Sequence, residues 1–285
     1  MQDLLYIHKD YSNQYEQLQK VSISLRPNGF SFVIQAVDSD RILAVCYSQL
    51  SANSSISVYS KSLSVFLKHE MLLKTFQTIS IVYVTPRITI IPSSLFSAHN
   101  LTLLFETNHV LVPNDVVLDY KLKQTQGYLV YTIPSQIIEA CKEAFGNHIR
   151  FLPQAAPFLE SSCIQNKIKT NKQVYILLDD TFFDIAVLEG HNILLYNTFE
   201  FSNNNDYMYF VMNVFEQLQL NPLEIPVMLS GVISKASHYY ESIQMFIKHV
   251  HIIEPTQSHK DFLQYPFEQS LYPFFNNECN VSLCE

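Results

Sequence analysis

Val174-Tyr-Ile-Leu-Leu178, Phe182-Phe-Asp-Ile-Ala-Val-Leu188 and Ile193-Leu-Leu-Tyr196 follow one another with only Asp179-Asp-Thr181 and Glu189-Gly-His-Asn192 between them. Short runs of β-branched, aromatic and other apolar residues bounded by turn formers predict three consecutive strands joined by tight turns. The same plan occurs once earlier in the chain. Val21-Ser-Ile-Ser-Leu25 alternates, Arg26-Pro-Asn-Gly29 turns, and Phe30-Ser-Phe-Val-Ile-Gln-Ala-Val37 alternates again. Asp38-Ser-Asp40 then turns into Ile42-Leu-Ala-Val-Cys-Tyr47. The two meanders are offset by about 153 positions (Val21 to Val174), with a residue or two fewer in each turn of the second. One architecture is used twice.

Each meander leads into a helix and back to a strand. Leu63, Phe66, Leu67 and Met71 recur at helical spacing after the first, and Met208, Val211, Met212, Phe215 and Leu218 after the second, stopped by Pro222. Ile79-Ser-Ile-Val-Tyr-Val84 and Val227-Met-Leu-Ser230 are the returning strands. Tyr128-Leu-Val-Tyr-Thr-Ile133 opens a second strand–helix unit: it runs into Pro134, and Ile137, Ile138, Cys141 and Phe145 form one helical face before Gly146. Ala236, Tyr239, Ile243, Phe246 and Ile247 mark the matching helix of the second half, ahead of Val250-His-Ile-Ile253. A βββαβαβ unit made twice predicts an α/β protein with mixed sheets. The expected lobes are 1–162, with a small insertion around 85–127, and 173–285, ending in an aromatic tail over 256–285. The polar stretch Ser161–Lys172 is the expected seam.

Composition narrows the chemistry. Glycine occurs 5 times in 285 residues, where about 7% is ordinary, and no two glycines are near neighbours. That excludes a Walker loop, a dinucleotide fingerprint and a Gly-x-Ser-x-Gly elbow, all of which need close glycines. Lys plus Arg number 18 against 26 Asp plus Glu, and only 15% of residues are charged. This acidic balance argues against a nucleic-acid backbone as partner. Five cysteines with no Cys-x-x-Cys predict buried thiols in a reducing cytosol. Met1-Gln-Asp-Leu-Leu-Tyr-Ile-His8 lacks the basic flank of a signal peptide. No apolar run approaches the ~18 residues that span a bilayer. The expectation is a cytoplasmic protein with no transmembrane segment.

A duplicated chain of this size resembles the actin-like ATPase superfamily of sugar kinases, heat-shock chaperones and actin, whose lobes are ribonuclease H-like. In pattern it is most similar to the bacterial pilus-assembly and cell-division members. Leu177-Leu-Asp-Asp-Thr-Phe-Phe-Asp-Ile-Ala-Val-Leu-Glu-Gly190 looks like their second-phosphate hairpin. Tyr128–Ser135 with its following helix fits, as does His148–Leu159, a strand running into the helix that ends the first half. The resemblance extends to an uncharacterised bacterial family of unknown function with this fold.

The resemblance implies a cleft for ATP and magnesium, in which the first hairpin of each half supplies an acid followed by small residues. The acid handles magnesium or water, and bare amides cradle phosphate. The first hairpin departs from this pattern: Arg26 stands where the acid is expected, and Pro27 has no N–H to donate. Pro and Gly at the second and fourth places describe an ordinary β-turn. The second hairpin keeps Asp179, Asp180 and Thr181, able to hold a hydrated magnesium ion or simply to form a turn, but Phe182 and Phe183 replace the small residues. Where the adenosine motif carries two glycines, this chain has Ser230 and Gly231.

Metal and nucleophile signatures are weaker. His69-Glu70 lacks the second zincin ligand, since position 73 is Leu, and His249, His251 and His259 are spaced as surface histidines. The tail sets Phe262, Tyr265, Phe267, Tyr272, Phe274 and Phe275 among Pro266 and Pro273, a composition suited to lying over an apolar groove, the chain's own before a partner's. Two functions follow. The first is a non-catalytic scaffold or protein-interaction module, without a cofactor, whose partner is another protein or a second copy. The alternative is a nucleotide-binding regulator or slow ATPase that places magnesium on Asp179 and Asp180, the nearby Thr181, and the base near Ser230 and Gly231.

Overall fold

Alternating side chains make both meanders into antiparallel ribbons, and the helices that follow bring each chain back in parallel. The computed structural model describes residues 4–8, 11, 19–49, 58–255 and 266–285. The first half contains β1 (Leu4–Ile7), β2 (Gln19–Arg26), β3 (Gly29–Ala36), β4 (Ile42–Gln49), α1 (Val58–Phe66) and β5 (Thr78–Tyr83). Next come β6 (Ile88–Pro92), α2 (Leu101–Glu106), β7 (Asp115–Lys121), β8 (Gly127–Pro134), α3 (Ser135–Phe145) and β9 (Arg150–Pro153). After α4 (Ala155–Asn166) the plan restarts with β10 (Lys172–Leu178), β11 (Phe182–Glu189), β12 (Asn192–Glu200) and α5 (Asn204–Gln217). The chain ends with β13 (Val227–Gly231), α6 (His238–Phe246), β14 (Val250–Ile252) and α7 (Pro266–Cys279), then a 3-10 turn over Val281–Cys284.

The two main sheets have one topology. The first runs β1-β4-β3-β2-β5-β9 and the second β12-β11-β10-β13-β14, so apart from the extra β1 the strand orders correspond one to one. Even the irregularities repeat. The β3–β4 ladder shifts register between Ile34 and Gln35 and the β11–β12 ladder between Val187 and Leu188, at the repeat offset. Both halves are α/β with mixed sheets, as the sequence predicts.

Four features differ from the sequence reading. The insertion does not close at 127. β8 pairs with β6 on one side and β7 on the other, forming a separate three-stranded sheet that reaches Pro134. Tyr128–Ile133 therefore belongs to the insertion, and β9 is the last strand of the main sheet. The first helix also stops early: α1 ends at Phe66, and Met71 sits in a separate 3-10 turn over Glu70–Leu72. Ser161–Lys172 is not an exposed seam in its first half. Ser161, Ser162, Cys163 and Asn166 are buried in α4, where Ser161 donates its hydroxyl back to the Phe158 carbonyl at 3.1 Å. Such back-bonding lets a serine sit inside a helix without an unmet donor. Finally, the tail is helical and lies across both main sheets, packing on β13 as well as on β3, with Ile253 of the second half in its core. Tyr272, Phe274 and Phe275 of α7 share a core with Val33, Val45 and Tyr47. Phe262, Tyr265 and His259 fall outside the described residues.

Burial makes α4 the axis of the molecule. Its Phe158 and Leu159 join a core that takes in Ile23 and Phe32 of the first sheet and Tyr175, Leu177 and Ala186 of the second. A second core forms on the far face of the second sheet, from Ile176, Phe183 and Ile185 with Val211, Phe215 and Ile243 of α5 and α6. The insertion is tied to α4 by Glu160, which is buried yet fully served: it accepts from Tyr120 Oη at 2.9 Å and from the backbone N–H groups of Lys123 and Gln124 at 2.6 and 3.1 Å. Among the described residues no helix is long and apolar enough to cross a membrane.

Candidate functional site

The ends of β2 and β10 occupy equivalent places in the two halves, and the duplication brings them face to face. Arg26 closes β2 and Asp179 follows β10, 153 positions apart, and they are bonded: Arg26 Nε donates to Asp179 Oδ2 at 3.2 Å. Arg26 Nη1 donates to Ser31 Oγ at 2.5 Å, and Nη2 lies 3.5 Å from Glu278 Oε1 of α7. Ser31 in turn donates to Glu278 Oε1 at 2.6 Å. The Phe274 ring lies 4.8 Å from the guanidinium carbon, a cation–π contact that is stronger where water is excluded. At the rim Asn28 Nδ2 donates to Asp180 Oδ2.

The electrostatics follow from burial. Desolvation opposes the Arg26 charge, but Glu278 and Asp179 outweigh it and hold the guanidinium protonated. Burial pushes the Asp179 carboxyl above the usual range, and Arg26 acts against that rise. Glu278 is the largest compensation for the Arg26 charge, with Asp179 next, whereas Arg26 is the main charge favouring the Asp179 carboxylate.

Below this pair a second network joins the lobes. Asp184 is fully buried and accepts from Gln154 Nε2 at 3.1 Å, Tyr196 Oη at 2.9 Å and Thr198 Oγ1 at 2.5 Å. Burial raises its carboxyl to about 6 despite these three donors. Gln154, just before α4, also accepts from the Thr85 N–H at 3.0 Å and donates to the Thr85 carbonyl at 2.7 Å. Asn277 of α7 donates to the Gln154 carbonyl at 2.9 Å. Glu278 Oε2 and Asn277 Oδ1 are buried without a hydrogen-bond partner among the described residues.

The residues singled out from sequence are only partly assembled. Asp179 and Gly231 border one small cavity, together with Arg26, Gln154, Asp184 and Phe274. Asp180 and Thr181 are exposed at its rim, and the Thr181 carbonyl accepts from the Phe201 N–H. Ser230 is fully buried with its hydroxyl donated to the Ile176 carbonyl at 3.3 Å. Gly231 has φ +88°, and a Cβ there would strike the Leu178 carbonyl oxygen. Its geometry is what the close β10–β13 crossing requires. Phe183 is locked against Phe199, Phe201 and Tyr207. Among the described residues no three His, Cys, Asp or Glu side chains are grouped to hold a metal.

These groups do not fit magnesium and a nucleotide triphosphate. The cavity measures about 10 Å³, room for about one water molecule. Arg26 takes the Asp179 oxygen that a hydrated cation would need, and Phe274 fills the space beside it. Sequence reading passed over Ser31, Gln154, Asp184, Asn277 and Glu278. Two of these had a signal: Ser31 and Asp184 stand at the repeat offset, each paired across its hairpin with a β2 or β10 residue. Nothing local marks Asn277 or Glu278.

Comparison with known proteins bears on the fold. None of the curated proteins compared matches the chain. Among solved structures, a Bacteroides thetaiotaomicron protein described as having an actin-like ATPase fold and unknown function is 25% identical. It superposes with TM-score 0.77 over 85% of this chain and 93% of its own. The PilM–PilN type IV pilus biogenesis complex is 12% identical with TM-score 0.62, covering 95% and 99%. The ethanolamine utilization protein EutJ of Carboxydothermus hydrogenoformans is 10% identical with TM-score 0.50, covering 94% and 90%. The fold is the actin-like ATPase fold. Residues 8–250 match the model of a family described as protein of unknown function (DUF3822), and the chain belongs to that family.

Proposed function

We propose that this chain is a non-catalytic member of the actin-like ATPase fold, a cytoplasmic scaffold that acts by binding protein and needs no nucleotide. The observation that carries this reading is the Arg26–Asp179 pair, a cation of the chain itself between the two hairpins to which the superfamily resemblance would assign phosphates and magnesium. Phe274 and Glu278 complete the filling from α7. An arginine held by two carboxylates is costly to displace, since either acid left alone is a buried unpaired charge. A protein partner is supported by a distant neighbour of the same fold solved as a complex with one.

Titration of the purified protein with magnesium and ATP tests the proposal. The expected result is no heat and no rise in melting temperature at millimolar nucleotide, because only a ligand that binds the native state stabilises it. Micromolar binding that Asp179→Asn abolishes would instead establish the nucleotide-regulator reading, with Asp179 and Asp180 on magnesium.

A further inference from the structure

The two halves differ at one sheet edge. In the first, β1 covers β4: Leu4 pairs with Tyr47 and Tyr6 with Val45, antiparallel, and the His8 N–H donates to the Leu43 carbonyl at 2.8 Å. Leu43 is the extra residue of a bulge, since Ile34 pairs with Ala44 and Gln35 with Ile42. In the second half Val187 pairs with Leu195 and Leu188 with Ile193, so Leu194 is the extra residue of the same bulge. Ser31 faces Tyr47 and Asp184 faces Thr198, which makes Thr198 the counterpart of Tyr47, and Tyr196 that of Val45. A bulge often deters strand addition, but β1 shows that this one does not.

Among the described residues β12 ends its sheet with no such cover. The Phe201 N–H points inward to Thr181, so the two-residue period turns the N–H and C=O of Tyr196, Thr198 and Glu200 outward. The Thr198 N–H is met only by the side chain of its neighbour Asn197, at 2.9 Å. Among the described residues the outer edge has no other backbone partner. Natural edges of this kind are shortened or guarded by lysine or proline. β12 is nine residues long, contains neither, and carries one charge, Glu200 at its end.

We infer that the outer edge of β12 pairs with β12 of a second copy of this chain, antiparallel about a two-fold axis near Tyr196, joining two sheets into one. The inference rests on the proposed function only in that the chain works by binding protein. The edge is complementary to itself. Its far end carries two lysines: Lys121 and Lys123, the latter also donating to the Glu285 carbonyl, border a cavity of about 730 Å³ with Asn192 and Ile193, and Glu189 pairs with Asn192 on the inner side. Antiparallel self-pairing brings Glu200 of each copy to that end of the other. Half-buried Leu195 and Phe199, the latter stacked on Phe210 at 4.7 Å, gain apolar cover from the strand opposite. A two-fold interface uses every contact twice.

Sedimentation equilibrium of the full chain tests this, with amide exchange read at Tyr196, Thr198 and Glu200. The expected result is a monomer–dimer equilibrium below about 100 μM, with those amides slowing as concentration rises. Glu200→Lys turns two attractions into repulsions and weakens dimerisation about tenfold or more. Glu200→Pro blocks the outward edge without removing an inward ladder bond, and dimerisation is lost while the melting temperature holds. A monomer at every concentration overturns the inference, as does a dimer indifferent to both substitutions. Adding magnesium and ATP separates the two readings: a dimer that binds nucleotide overturns the proposed function alone, and a monomer without nucleotide affinity overturns this inference alone.

Discussion

Arg26→Ala removes the only described cation within the interlobe cluster, so the cost can be worked from its partners. The guanidinium is 7% exposed and serves Asp179, Ser31 and Glu278. Without it the fully buried Glu278 keeps one donor, Ser31, and Asp179 keeps the Asp180 N–H at 2.8 Å. Breaking a buried ion pair from one side costs about 3–5 kcal/mol, mostly the penalty of the charge left behind. At ~2–4 °C per kcal/mol for a chain of this class, the melting temperature should fall by roughly 6–20 °C. The pH dependence identifies the cause. Burial already raises the Asp179 carboxyl and Arg26 restrains it, so the variant's carboxyl climbs further. A group whose folded pKa is raised binds its proton more tightly when folded, so the deficit is full above the raised value and shrinks as the pH falls through it. Urea unfolding of both proteins at pH 7 and pH 5 measures this. A loss below about 1 kcal/mol at pH 7, or one unchanged on acidification, would show that the cluster does not hold the lobes as described.

Two more substitutions probe the same cleft, with Gly146→Ala, at the end of α3, as a control outside it. Asp184 titrates at about 6 against an ordinary 3.8, so its ionisation costs the fold ~3 kcal/mol; wild type should lose that much relative to Asp184→Asn between pH 4 and 6, and a constant difference in unfolding free energy contradicts the assignment. Gly231→Ala places a methyl into the Leu178 carbonyl, whereas Gly146→Ala at φ +84° meets open space. Thermal melts should show a loss of about 1 kcal/mol for Gly146→Ala and at least twice that for Gly231→Ala, and equal losses would mean that β10 yields freely.

The duplicated sheets were legible because each strand states its own identity. Val174–Leu188 is apolar over both faces and β-branched, and the turns that cut it are chemically explicit. The ladder order then follows from the repeat. The insertion boundary was not legible, because Tyr128–Ile133 has the same apolar pattern whether it joins the main sheet or a small one; its partners at 88–92 and 115–121 decide. The tail helix was hidden by Pro273 inside it, a residue that ordinarily ends a helix. The cleft showed its departures at Arg26 and Pro27, but not which side chains meet there. Glu278 reaches Ser31 across 247 positions, and no local pattern encodes a contact that only the folded core creates.

On the proposed function, the duplication itself explains how the architecture holds without a nucleotide. Equivalent residues of two fused copies meet across the pseudo-two-fold, as Arg26 and Asp179 do at the repeat offset. With an acid at both places, which the superfamily resemblance implies for active members, like charges repel and a bound cation is needed to bridge them. Changing one of the two to arginine turns the repulsion into an attraction at a single step, and the lobes are joined by the chain's own charges. The neighbouring positions follow the same logic. Asn28 donates to Asp180, and Ser31 binds Glu278 where its counterpart Asp184 binds Gln154. Each contact replaces a role that a ligand would play with a side chain already present. A cleft so occupied resists opening to admit ATP, because opening separates Arg26 from both carboxylates before any ligand can compensate. Selection on such a protein acts on its outer surfaces, where the two halves are free to differ, and the uncovered edge of β12 is the place where they differ most plainly.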